Sequence, residues 1–247
     1  MIRITDTVKH LIIINVLFFV ATQIFGDQMY RWFALWFPKN ENFQIWQIVT
    51  HMFMHGGITH ILFNMLGLWM FGSPVEEYLG KKQFLFLYFS AGLGAVLFQL
   101  GYYYYNYLPL YSELISSGLN SDQIVHMLTT NQISDGISNV QKLNLQQIYP
   151  IYNASMVGAS GCIMGILAAF GVMNPEAKLM MIFLPIPIKA KYFIPGIILL
   201  DVVSAFTGQS FFSPSNTAYM AHVGGALIGF IMMWYWKKNS FNKNRWN

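Results

Sequence analysis

The sequence predicts an all-α polytopic membrane protein, a bundle of six transmembrane helices. Three observations carry this. The chain is 55% hydrophobic and only 10% charged, with a mean hydropathy of +0.44, so lipid is the solvent for most of its length. Apolar runs of helix-spanning length recur along its 247 residues, which argues for one polytopic bundle rather than soluble domains. The basic residues of the connections also segregate by side, in the alternation that six crossings require.

The first run, about residues 10–26, follows Arg3 and Lys9 as a signal peptide would. No small-x-small cleavage site is evident near Val20-Ala21-Thr22-Gln23, so it reads as an uncleaved anchor. The connection 27–55 carries Tyr30, Trp32, Phe33, Trp36 and Phe37 with few charges, and such aromatic loops settle half-buried in a leaflet. The second and third runs, about 56–73 and 83–105, lead to the aromatic girdle Tyr102–Tyr105. Residues 108–150 form an Asn/Gln/Ser-rich insertion, expected as a surface excursion. Leu114, Ile115, Leu119, Ile124, Val125 and Leu128 support a short amphipathic helix or two in it. The last runs are about 154–173, 191–207 and 218–236. The expected organisation is therefore one membrane domain with its core at 8–107 and 150–236, the insertion at 108–150, and a basic tail at 237–247.

Orientation follows from Lys and Arg, which were not used to find the runs. Arg3, Lys9, Lys81, Lys82, Lys178, Lys189, Lys191, Lys237, Lys238, Lys243 and Arg245 fall on one side, and Arg31, Lys39 and Lys142 on the other. Both termini are thereby expected in the cytoplasm, with the insertion outside. The net charge of +4 reflects topology and gives no reason to expect nucleic-acid binding. The single cysteine, Cys162, excludes an internal disulfide and reads as small apolar filling.

Four polar residues sit where such runs should not tolerate them: His60, Asn64, Ser160 and His222. The runs that hold them start on the outer side, and at 1.5 Å per residue all four lie roughly 6–12 Å below the outer surface. His60 and Asn64, four apart, share a helix face. Gly158, Ala159, Gly161 and Gly165 surround Ser160, and Ala221, Gly225 and Gly229 recur at four-residue intervals beside His222. Small residues at that spacing let backbones approach, close enough for a hydroxyl to bond an imidazole.

These motifs resemble the rhomboid intramembrane serine proteases. The resemblance rests on Gly158-Ala159-Ser160-Gly161, on Ala221-His222-Val223-Gly224-Gly225, and on the array His51, His55, His60 and Asn64. It implies that Ser160 is the nucleophile and His222 its general base. His60, Asn64 and the Ser160 backbone amide would form the oxyanion hole. Imidazole titrates at about 6.5 and can take a serine proton near neutral pH, and no carboxylate lies beside His222 in sequence, so a dyad is the simplest arrangement. Substrates would be membrane proteins with a transmembrane segment, unwinding locally before hydrolysis. No cofactor or metal is implied, and the expected location is a bacterial cytoplasmic (inner) membrane. By the same resemblance, the edge formed by the fifth run would move to admit a substrate helix. The loop Ser210 to Ala218 would then cap the site.

His51 and His55 read as hydrogen-bonding struts of the first connection. Asp201, inside the fifth run, reads as a protonated or hydrogen-bonded structural acid nearer mid-membrane than Ser160. Two positions depart from the family pattern: Met164 where a tyrosine often stacks on the base, and Gln47 where an arginine often follows Trp46. Other classes fit less well. A metalloprotease would want His-Glu-x-x-His, and a transporter would favour repeats around broken helices. A catalytically inactive relative that binds transmembrane segments remains the alternative.

Overall fold

The computed structural model describes residues 3–181, 184–211 and 217–243. They are predominantly helical. Helix α1 (Asp6–Phe25) is followed by α2 (Asp27–Phe33) and α3 (Gln47–Thr50), which tightens into a 3₁₀ turn at His51–Phe53. Helix α4 (Ile58–Gly67) winds through a π turn at Leu68–Gly72 into α5 (Ser73–Ser116), and α6 (Ser121–Thr130) and α7 (Asn139–Tyr152) come next. Helices α8 (Ser160–Met173), α9 (Ala190–Thr207) and α10 (Tyr219–Lys243) complete the order. Two short antiparallel pairs join distant or adjacent segments, β1 (Leu35–Trp36) with β2 (Ser155–Met156) and β3 (Lys178–Met181) with β4 (Leu184–Lys189).

Among the described residues three helical stretches are long and apolar enough to cross a membrane: Asp6–Phe25, Ile58–Ser116 and Ala190–Thr207. The middle one is no rod. Gly80 has φ 75°, ψ 162°, a conformation open mainly to glycine, and it breaks the helical ladder. A methyl built on Gly72 would touch the Phe84 ring at 3.5 Å. In a straight helix two residues twelve apart would be about 18 Å apart. The chain therefore doubles back at Gly80, beside Lys81 and Lys82, and the second and third apolar runs lie on its two limbs.

Helix α8 starts later than the apolar run 154–173 suggests. Ser155 and Met156 pair with Trp36 and Leu35 of the first connection, and Gly158 takes φ 126°, outside the helical region, so winding begins only at Ser160. From Gly161 to Phe170 every residue of α8 is buried, because α5 and α10 clamp it through small residues. Side chains added at Gly225 or Gly229 would collide with the carbonyl oxygens of Gly161 and Gly165, while Gly161 and Gly165 rest on Ala95 and Ala91 of α5. This is the close backbone approach expected of small residues four apart.

The insertion is more ordered than a surface excursion. Helix α5 runs on to Ser116, and α6 and α7 fold against it behind capping boxes at Asn120/Gln123 and Ser138/Gln141. Leu114, Ile124, Leu128, Ile148 and Tyr152 bury together with Phe37 of the first connection. Of the six residues in the amphipathic pattern, Leu114, Ile124 and Leu128 are buried and Leu119 packs against them, while Ile115 and Val125 point outward. On the basic side, β3 and β4 pair Lys178 with Lys189, and the exposed Glu176 carboxylate reaches Lys189 at 2.8 Å and also Lys191.

Candidate active site

Ser160, His60 and His222 all fall in the first turn of a helix. Ser160 is the first residue of α8, His60 the third of α4 and His222 the fourth of α10. A first-turn backbone N–H has no acceptor within its own helix, so the Ser160 amide is a free donor at the positive end of the α8 dipole. Ser160 and His60 are partly exposed, while Asn64 and His222 are buried.

The loop before α8 brings His60 and Asn64 to this helix end. Gly158 N–H donates to the His51 carbonyl at 2.9 Å, which pins the loop to the first connection. A methyl on Gly158 would lie 2.8 Å from His60 Nε2 and 3.7 Å from Asn64 Nδ2. Glycine at 158 is thus required twice, for its positive φ and for the space the imidazole occupies. The Gly56 N–H points at His60 Nδ1 at 3.4 Å, and an N–H can only donate, so Nδ1 accepts and the ring proton sits on Nε2. Asn64 Nδ2 is buried with no hydrogen-bond partner among the described residues. A buried amide left unsatisfied is costly.

From the other side, Gly225 seats against the Gly161 backbone, so α10 presents His222 toward the start of α8. No hydrogen bond joins Ser160 to His222 among the described residues, a looseness common before substrate binds. Instead His222 Nδ1 meets Asp201 Oδ2 at 2.8 Å, with Asp201 only 1% exposed. The sequence places Asp201 nearer mid-membrane than Ser160 and does not pair it with His222. Asp201 lies six residues before the C-terminal end of α9, and His222 is the fourth residue of α10. That arithmetic was the available signal.

The supporting residues behave differently from one another. His51 is 2% exposed and bonds the Gln47 carbonyl through Nδ1 at 2.7 Å, as a strut should. His55 instead packs its ring edge-on against His60, centroids 5.0 Å apart. Gln47, fully buried, accepts from the Trp36 and Gln44 amides and donates to the Arg31 and Asn42 carbonyls. A neutral amide with four partners ties the first connection together without an arginine. Met164 is buried on α8, and Cys162 fills space between α8 and Gly92 of α5. Of the loop expected to cap the site, residues 212–216 lie outside the described residues, as do residues 244–247 of the tail.

Fold and cluster together define a membrane-embedded helical protein with serine, histidine and amide groups gathered at helix ends. The chain belongs to the rhomboid family: the rhomboid domain matches residues 42–239. It is similar to the presenilin-associated rhomboid-like protein A, mitochondrial, of Danio rerio, at 30% identity over 189 residues, 76% of this chain and 36% of that protein. It is likewise similar to the presenilin-associated rhomboid-like protein, mitochondrial, of Homo sapiens, at 28% identity over 232 residues, 93% of this chain and 47% of that protein. The chain thus spans between about a third and a half of the length of these relatives.

Proposed function

We propose that this chain is an intramembrane serine endopeptidase that hydrolyses peptide bonds in or near transmembrane segments of other membrane proteins. The observation that carries the proposal is the approach of His60 Nε2 and Asn64 Nδ2 to Gly158, two residues before Ser160, while Gly225, three residues beyond His222, seats against Gly161. In this reading the donors are Asn64 Nδ2, His60 Nε2–H and the Ser160 amide, Ser160 Oγ is the nucleophile, and His222 is the base from across the glycine seam.

In this reading Ser160 Oγ attacks the scissile carbonyl while His222 Nε2 takes its proton. The oxyanion of the tetrahedral intermediate is met by the three donors, of which Asn64 Nδ2 has no other hydrogen-bond partner among the described residues. The intermediate collapses as His222 returns the proton to the leaving amine. Water, deprotonated by His222, then releases the acyl chain from Ser160. Six crossings hold the site, with both termini on the Lys/Arg-rich side, in an inner membrane of the bacterial cytoplasmic type. The 108–150 unit sits on the opposite face.

The alternative is an inactive rhomboid-like protein that only binds transmembrane segments. Cleavage of a model single-span substrate in liposomes separates the two readings. Product from wild type and none from Ser160→Ala or His222→Ala supports the protease. Equal product from all three overturns it, and substrate binding without product in wild type favours the alternative.

A further inference from the structure

We propose that Asp201 is a positioning residue for His222, making the working unit Ser160–His222–Asp201 rather than a dyad; this rests on the serine-protease reading. Three observations support it independently of that reading. Asp201 is 1% exposed inside an apolar helix, where a carboxylate persists only against a strong partner. Its Oδ2 lies 2.8 Å from His222 Nδ1, on a side chain that is itself buried. Helix α8 supplies no substitute, since the residue one turn beyond Ser160 is Met164, which has no hydrogen-bonding group to orient a ring.

The chemistry follows from which ring nitrogen is engaged. With Nδ1–H donating to the carboxylate, the lone pair resides on Nε2, the nitrogen left for Ser160. The imidazolium formed when the serine proton arrives keeps its counter-charge at hydrogen-bond distance. Among the described residues, the titratable groups on the elements packed around His222 are Asp201 from α9 and His60 from α4, with His55 behind His60. Helix α5 brings the neutral Gln99, whose Oε1 accepts from the Ala221 amide at 3.2 Å, and α8 brings Ser160. Because Asp201 rides on α9, the orientation of the base depends on where that helix sits. Helix α9 is held a second time by Tyr102 Oη, which donates to the Ala205 carbonyl at 2.8 Å.

The test uses the full chain in detergent: wild type, Asp201→Asn, Asp201→Glu and a Ser160→Ala control, with kcat, KM, pH profile and melting temperature. Where no peptide is cut, the rate at which a fluorophosphonate phosphonylates Ser160, with loss of fluoride, carries the same readouts. Asp201→Asn is expected to lower kcat about 10²–10⁴-fold at unchanged KM. It should also move the acidic limb of kcat/KM to lower pH, because the imidazolium loses its neighbouring charge. Asp201→Glu should fall between the two. A purely structural ion pair would move the melting temperature alone, so Asp201→Asn with wild-type kcat and an unmoved acidic limb overturns the proposal. Should Asp201→Asn fail to fold, Asp201→Glu is read instead. Lowered kcat at unchanged KM then supports the proposal and unchanged kcat overturns it. Undiminished turnover by Ser160→Ala would remove the protease reading itself, and this proposal with it.

Discussion

The seam between α8 and α10 sets how far Ser160 stands from His222, and Gly225→Ala probes it. The added Cβ would overlap the Gly161 carbonyl oxygen and sit 2.8 Å from the carbonyl carbon and 3.2 Å from its Cα. All three are backbone atoms of a buried helix, so no side chain can swing aside. Restoring contacts of about 3.5 Å requires the two helices to part by roughly 1 Å. Overpacking of this kind costs about 1–3 kcal/mol. Gly161 is the neighbour of Ser160 and Gly225 lies within one turn of His222, so the nucleophile and base separate by a similar distance. A 1 Å misplacement at a reacting pair costs about 10²-fold in turnover. Gly225→Ala should therefore lower both the melting temperature and the rate of cleavage of a model transmembrane substrate. Gly196→Ala is the control: a methyl there meets nothing within 4 Å, and removing glycine from the α9 interior should stabilise by about 0.5–1 kcal/mol. Wild-type turnover and stability in Gly225→Ala would refute the seam as the element that spaces the pair.

Asn64→Ala should reduce turnover about 10²–10³-fold without loss of melting temperature, because Nδ2 makes no bond in the free protein. Steady-state kinetics beside a thermal melt checks both halves. Gly158→Ala should cost about 1–3 kcal/mol through its positive φ and displace the His60 ring; activity and melting measured together would detect it. Gln47→Ala removes a side chain with four backbone partners and should destabilise by about 1–3 kcal/mol, with faster proteolysis of the first connection as the readout. On the basic side, hydrogen bonds and charge from Lys189 and Lys191 hold the Glu176 carboxyl down at about 2, against an ordinary value of 4.5. A depressed pKa means the contribution is present above about pH 4.5 and is lost as pH falls toward 2. Melting curves between those values should therefore flatten in Glu176→Gln, and high salt should shrink the difference because the group is fully exposed.

Much of this was legible in the chain, for reasons that can be named. Composition and run length identify lipid as the solvent, and Ser160, His60 and His222 stand out because an apolar run makes each polar group conspicuous. The glycine spacing in α8 and α10 reported their contact because small residues four apart have few other uses in a membrane helix. What was hidden depends on rotation and on long-range pairing. Helix α8 begins at Ser160 only because strand β2 is drawn to β1, more than a hundred residues away. The insertion packs because Phe37, from the first connection, closes its core. Asp201 meets His222 because α9 turns that one face toward α10, and no periodicity in a uniformly apolar helix reveals which way it turns.

A fluorophosphonate probe reports directly whether His222 activates Ser160, with no substrate to choose. Labelling of wild type should map to Ser160 and fall to background in His222→Ala while the variant keeps its melting temperature. Equal labelling of a folded His222→Ala, or label on any other residue, would contradict the Ser160–His222 pair.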